Sequence, residues 1–148
     1  MYKHILLPTD GSNLSAKAVR QGIQFAKSIG AKITAIHVAP EYQMVIDEGL
    51  VMPSVMSVQQ RFEEEVAARS KKLLDKVTTE AQAAGVACYG VTVVSSVPYD
   101  AIIKQAKKSK CDLILMASHG RKGLASLLLG SETAKVLTHS TIPVLVVR

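Results

Sequence analysis

Five short apolar runs with helical patterns between them constrain this chain more than any other feature. The runs are HILLPTD (4–10), AKITAIHVA (31–39), VACYGVTVVSS (86–96), CDLILMAS (111–118) and IPVLVV (142–147). Each has the length of a strand, and CDLILMAS is almost continuously apolar, as a strand covered on both faces should be. SNLSAKAVRQGIQFAKSIG (12–30) starts on Ser12 as N-cap and stops at Gly30, with Ala18, Ile23, Phe25, Ala26 and Ile29 on its inner stripe. A longer helix is expected over 57–84, ending at Gly85, with Phe62, Val66, Ala67, Leu73, Leu74 and Val77 inward. PYDAIIKQAKKSK opens with proline in a first turn, and SETAKVLTHS (131–140) closes the set. Strands alternating with helices require a parallel sheet with helices on both faces, and right-handed crossovers make it doubly wound.

The 148 residues suit one domain over 1–148, with about two-thirds of the unfolded surface buried on folding. No linker, repeat or low-complexity segment divides it. Hydrophobic residues at 48% and charged residues at 20% describe a folded globular chain rather than a disordered one. No apolar run approaches the roughly 18 residues of a membrane span. MYKHILLPTDGS lacks the features of a secretory signal, so the expected location is cytoplasmic.

Cys88 and Cys111 lack metal-ligand spacing and read as two buried thiols. His4, His37, His119 and His139 show no zinc pattern, and His37 within a strand reads as a packed core histidine. The net charge of +6 points toward polyanions. Against nucleic acid stand the spread of the lysines over helical segments and an aromatic content of 4%, too little to stack bases. Lys104, Lys107, Lys108 and Lys110 read as a solvated helix face.

Ligands of an open parallel sheet bind beyond the carboxyl ends of its strands, where the strand order reverses. Those ends carry Pro8, Thr9, Asp10, Gly11 and Ser12; Val38, Ala39 and Pro40; and Ala117, Ser118, His119 and Gly120. Asp10 suits either a ribose or hydrated metal, or the local satisfaction of a turn. In ASHGRKGLASLLLGSETAKVL (117–137), Gly120 and Gly123 permit close backbone approach to a ligand, Gly130 precedes the next helix, and Arg121 and Lys122 add charge. Ser118, Ser131 and Thr133 add hydroxyls, and the helix beginning at Ser131 offers free N–H groups to an anion. Glu132 would repel a phosphate unless it points away. There is neither a phosphate loop of the G-x-x-x-x-G-K-[ST] type nor a G-x-G-x-x-G after the first strand. Ser118 and His119 are adjacent, so their side chains are expected to diverge, which argues against a hydrolytic triad. The loop 40–56 (PEYQMVIDEGLVMPSVM) is long and apolar, through Met44, Val45, Ile46, Leu50, Val51, Met52, Val55 and Met56. It suits a cover for the sheet edge or a partner chain, or a lid over a ligand.

ILLPTDGS, AIHV, CDLILMASHG and GSETAKVLTHSTIPVLVV, in this order, resemble the universal stress protein family along essentially the whole chain. The resemblance implies an adenine-nucleotide alpha hydrolase-like sheet of order 3-2-1-4-5. The ATP-binding branch has a pattern G-x-x-G, nine residues, then G-[ST]; here Ala117 replaces the first glycine, and Gly120, Gly130 and Ser131 keep the spacing. It further implies Pro8, Thr9 and Asp10 beside an adenosine, with Asp10 toward the ribose and the Val38 backbone at the adenine edge. Met116 and Ala117 would form the floor. Gly120, Arg121, Gly130, Ser131 and Thr133 would surround the phosphates, with Glu132 in the same turn. The implied ligand is ATP, ADP or AMP, with Mg²⁺ held by phosphate oxygens and water. A homodimer through the last strand, Val144–Val147, is also implied, with a protein partner of unassigned identity. The expected role is a nucleotide-responsive binding module of stress response; the alternatives are a weak ATPase or autophosphorylating protein, and a nucleotide-free dimer.

Overall fold

The computed structural model describes residues 1–43, 53–119 and 129–148, and in 53–56 the backbone alone. Its elements run β1 (His4–Pro8), α1 (Asn13–Ile29), β2 (Lys32–Ala39), α2 (Pro53–Ala83), β3 (Cys88–Val94), α3 (Pro98–Lys108), β4 (Leu113–Ala117), α4 (Ser131–His139) and β5 (Val144–Val147). All pairings are parallel, in the order β3-β2-β1-β4-β5. This is the doubly wound sheet expected from the alternation.

The two-residue period of the strands builds a core on each face. Ile5, Leu7, Ile33, Ala35, Leu113, Leu115 and Ala117 point to one side, against Ala18, Val19, Ile23 and Ala26 of α1 and Leu74, Val77 and Ala81 of α2. Leu6, Ile36, Ile114 and Met116 point to the other, against Ile102, Ile103 and Ala106 of α3 and Val136 of α4. Gly22 lets α1 sit close on the sheet: a Cβ there would stand 2.8 Å from Leu7 Cδ1.

Local signals hold at most helix ends. The Ser12 hydroxyl accepts from Ser15 N at 3.2 Å, and Gly30 closes α1 at φ 68°. Two expectations for α2 need correction. It begins at Pro53 rather than 57, because proline fits a first turn, where its missing N–H removes no helical bond. Residues 53–56 of the apolar loop are therefore helical, and 44–52 lie outside the described residues. Ala67 is exposed rather than inward; Ser70, Leu74, Val77 and Ala81 form the buried line. Ser70 is the signal an apolar count misses, since its hydroxyl is matched to His37 Nδ1 at 2.7 Å. His37 is the packed core histidine expected of it.

Cys88 and Cys111 are free, buried thiols, and burial pushes each pKa up to about 11. At the amino ends of the strands, His4 Nε2 lies 2.8 Å from Thr34 Oγ1. Burial, joined by the charge of Lys32, lowers the His4 pKa.

Candidate functional site

The strand order reverses between β1 and β4, and there the two strands part. Their paired residues are Ile5 with Leu113 and Leu6 with Ile114. Pro8 then brings no N–H to the ladder, so pairing with β4 ends at the reversal point, the place where open parallel sheets take their ligands. Thr9 is buried, with its N–H still donating to Ile36 O at 2.9 Å. Its hydroxyl lies 3.1 Å from that of Ser15, in the first turn of α1. Ser15 was not anticipated as part of this end; its place three residues after the N-cap was the available signal.

Asp10 is half-buried, and its Oδ1 accepts from Ser12 N at 2.9 Å. One carboxylate oxygen thus performs the local turn role. Beside it, β2 runs past the end of β1. Ile36 O accepts from Thr9 N, whereas Ala39 O accepts from Ser95 N in the direction of β3. Backbone groups along a parallel strand alternate between its two neighbours. Val38 therefore turns its N–H and C=O toward β1, which has already ended at Pro8.

The segment from β4 to α4 supplies the other wall. Gly130 N–H donates to Ser118 O at 2.8 Å, joining the strand end to the helix start. A Cβ on Gly130 would lie 3.2 Å from both His119 Cα and Ser118 O, so this close contact requires glycine or a shift. As N-cap of α4, Gly130 has no side chain to satisfy the first-turn N–H groups, which carry the positive end of the helix dipole. Ser131 is exposed next to them.

Several side chains differ from their expected posture or resolve it. Ser118 Oγ and His119 Nδ1 lie 3.0 Å apart rather than diverging, because the chain leaves the ladder after Ser118 and is free to turn the ring back. The Thr133 hydroxyl donates to Ala117 O at 3.0 Å, so its proton ties helix to strand. Glu132 Oε2 accepts from Tyr99 N at 2.8 Å, capping the first turn of α3. That contact takes the carboxylate toward α3, the outward posture that a phosphate at Gly130 would need. Ala117, where the ATP-binding pattern has glycine, is 6% exposed and packs its methyl in the core on the α1 side. Met116 is buried on the opposite face. Gly120 and Arg121 lie outside the described residues, as do Lys122 and Gly123.

Pro8, Thr9, Asp10, Val38 and Ala117 thus lie at the carboxyl ends of β1, β2 and β4, and Gly130 and Ser131 at the start of the helix bonded to the end of β4. No cluster of three metal-ligating side chains exists among the described residues, and no described helix is long and apolar enough to cross a membrane.

A sequence profile of the universal stress protein family matches residues 1–148. The chain belongs to that family. A universal stress protein of Methanocaldococcus jannaschii is 34% identical over 148 residues, covering 100% of this chain and 83% of its own length. Universal stress protein YxiE of Bacillus subtilis is 30% identical over 152 residues, covering 100% of both. A solved structure of another Methanocaldococcus jannaschii relative superposes with a TM-score of 0.83 at 30% identity, over 99% of this chain and 96% of that one. A universal stress protein solved in complex with cAMP superposes with a TM-score of 0.72 at 27% identity, over 99% and 97%. Membership in the universal stress protein family brings with it an association with stress response.

Proposed function

We propose that this universal stress protein binds an adenine nucleotide across the carboxyl ends of β2, β1 and β4, and that occupancy alters its contacts with a protein partner. The observation that carries this is the bond between Gly130 N–H and Ser118 O, which holds an uncapped helix start against the end of β4. The donor set fits the ligand. Val38 offers one backbone donor and one acceptor, the pair that a buried adenine edge must match. Asp10 would face the ribose, and the N–H groups following Gly130 suit a phosphate. Gly120 and Arg121 would complete the phosphate side. Mg²⁺, when present, adds charge neutralisation at the phosphates, and this chain's part is to orient them. The cAMP complex of the relative at 27% identity supports an adenine nucleotide as the ligand class. Titration calorimetry with ATP, ADP and AMP at physiological Mg²⁺ tests the proposal, and absence of heat at millimolar nucleotide refutes it.

The same reading includes a cytoplasmic homodimer. β5 is an edge strand with Leu145 exposed and no charged residue over Val144–Val147, and such an edge pairs readily with a second copy. Light scattering that finds a monomer at micromolar concentration rejects the dimer.

A second reading, slow phosphoryl transfer, draws on Ser118 Oγ lying 3.0 Å from His119 Nδ1. The Ser118 oxygen would attack the γ-phosphorus of ATP while its proton passes to the imidazole, the bond from the γ-phosphorus to the β–γ bridging oxygen would break, and ADP would leave. Incorporation of labelled phosphate that Ser118→Ala abolishes would establish it; equal incorporation in that variant would dismiss it.

A further inference from the structure

The lysines that look dispersed in the sequence converge at the amino ends of the strands, opposite the crevice. Lys3 precedes β1, Lys32 is first in β2, and Lys110 stands between α3 and β4. Lys27 lies in the last turn of α1, and Lys107 and Lys108 lie in that of α3. All six are exposed. The backbone brings them together: Lys32 N–H donates to Lys3 O at 3.0 Å, Asp112 N–H to His4 O at 2.9 Å, and Lys110 N–H to Lys107 O at 3.0 Å. β2, β1 and β4 are adjacent in the sheet, so Lys32, Lys3 and Lys110 lie at or just before the starts of strands about 5 Å apart.

This pole is not neutralised from within. Its carboxylates are Asp112 and, near the end of α2, Glu80. Both Asp112 oxygens are occupied by backbone donors, Lys3 N at 2.8 Å and His4 N at 3.0 Å. The ion pairs among the described residues are Lys71–Asp75, Lys104–Asp100 and Lys135–Glu132, none of which involves the six lysines. The helix dipole accounts for lysines in a last turn, hence for Lys27, Lys107 and Lys108. It does not account for Lys3 or Lys32, which lie outside helices. Lys110 is the most telling. It adopts φ 54°, the left-handed conformation that glycine fills after α1 (Gly30, φ 68°) and α2 (Gly85, φ 78°). A lysine there is sterically disfavoured, so its backbone role alone would be better served by glycine.

We propose that this pole binds the phosphate backbone of a nucleic acid strand. The surface is a set of unpaired ammonium groups on rigid element ends, which suits a polymer with regularly spaced phosphates. A lipid surface is less well matched, because α1 and α3 bury their apolar faces against the sheet and leave none to insert.

Fluorescence anisotropy with a labelled 20-nucleotide RNA and a DNA duplex of equal length, using the full chain, tests this. If about four phosphates are contacted, affinity falls about 100-fold between 50 and 200 mM salt. Lys3→Glu combined with Lys32→Glu is expected to weaken binding at least tenfold at the lower salt. Lys110→Gly is the sharper variant: it should keep or raise the melting temperature while lowering affinity, whereas a purely structural Lys110 would leave affinity unchanged. Lys71→Ala should bind as the parent does, placing the contact away from the α2 surface. Four results would overturn the proposal. These are no binding at 50 mM salt with tens of micromolar protein, unchanged affinity in Lys110→Gly, equal loss in Lys71→Ala, or binding to phosphatidylserine vesicles without binding to RNA or DNA.

Discussion

Gly130→Ala perturbs the contact that joins the end of β4 to the start of α4. The added Cβ would stand 3.2 Å from His119 Cα and from Ser118 O, both backbone atoms at the end of β4. They cannot rotate away as a side-chain tip can, so α4 must retreat by a few tenths of an ångström. The Gly130 N–H to Ser118 O distance, 2.8 Å in the parent, would stretch toward the outer range of such bonds. Gly130 has φ −59° and ψ 148°, which any residue adopts, so backbone strain contributes nothing. The cost is therefore steric plus the weaker N-cap character of alanine, together about 1 kcal/mol, and about 2–3 kcal/mol for Gly130→Val. Scanning calorimetry should show a melting temperature lower by about 3–6 °C for alanine. Titration calorimetry should show ATP affinity reduced at least tenfold, because the first-turn N–H groups move with the helix. If both variants melt and bind like the parent, the close approach at Gly130 is not what organises the site.

Ala117→Gly should lose about 1–2 kcal/mol, from one buried methyl and added backbone freedom, with no gain in ATP affinity, since the methyl faces the α1-side core. Tenfold tighter nucleotide binding in that variant would show the methyl obstructing the crevice instead. His4 supplies a pH dependence: burial and the Lys32 charge lower its pKa from 6.5, against the opposing charge of Asp112. The native state then binds fewer protons than the unfolded state just below pH 6.5, so this stabilisation is complete above that value. It declines as pH falls through the unfolded pKa toward the folded one. Urea unfolding between about pH 7.5 and 5.5 should show a steeper loss in the parent than in His4→Gln, and parallel curves would remove His4 from the account. With pKa values of about 11, only about one in a thousand of each cysteine is thiolate at pH 8. Labelling with a thiol-reactive dye at pH 8 should therefore be slow in the native protein and fast in urea; rapid native labelling of either cysteine would contradict their burial.

Strand and helix identity was legible because it is local: CDLILMAS has the continuous apolarity of a strand covered on both sides, and Ser12 and Gly30 mark their helix by capping chemistry. The start of α2 was less so, because Pro53 sits within an apolar stretch that reads equally as loop, and Ser70 breaks the apolar count while filling a core position. At the candidate site the sequence indicated which residues follow each strand. It did not indicate that Thr133 and Glu132 would be engaged with Ala117 O and Tyr99 N, since those partners lie 16 and 33 residues away.

By itself, the sequence determined the alternation of elements, the doubly wound parallel sheet and family membership, since periodicity and ordered motifs are properties of the linear chain. Tertiary structure alone decided which way each marked residue faces. The methyl of Ala117 turns into the core because a strand alternates its faces, and the carboxylate of Glu132 is drawn to α3 by an orphan N–H. Ser118 and His119 meet because the chain leaves the sheet between them. The same rule governs the lysines: parallel strands joined by helices return every amino end to one pole, so charges scattered from Lys3 to Lys110 become neighbours in space.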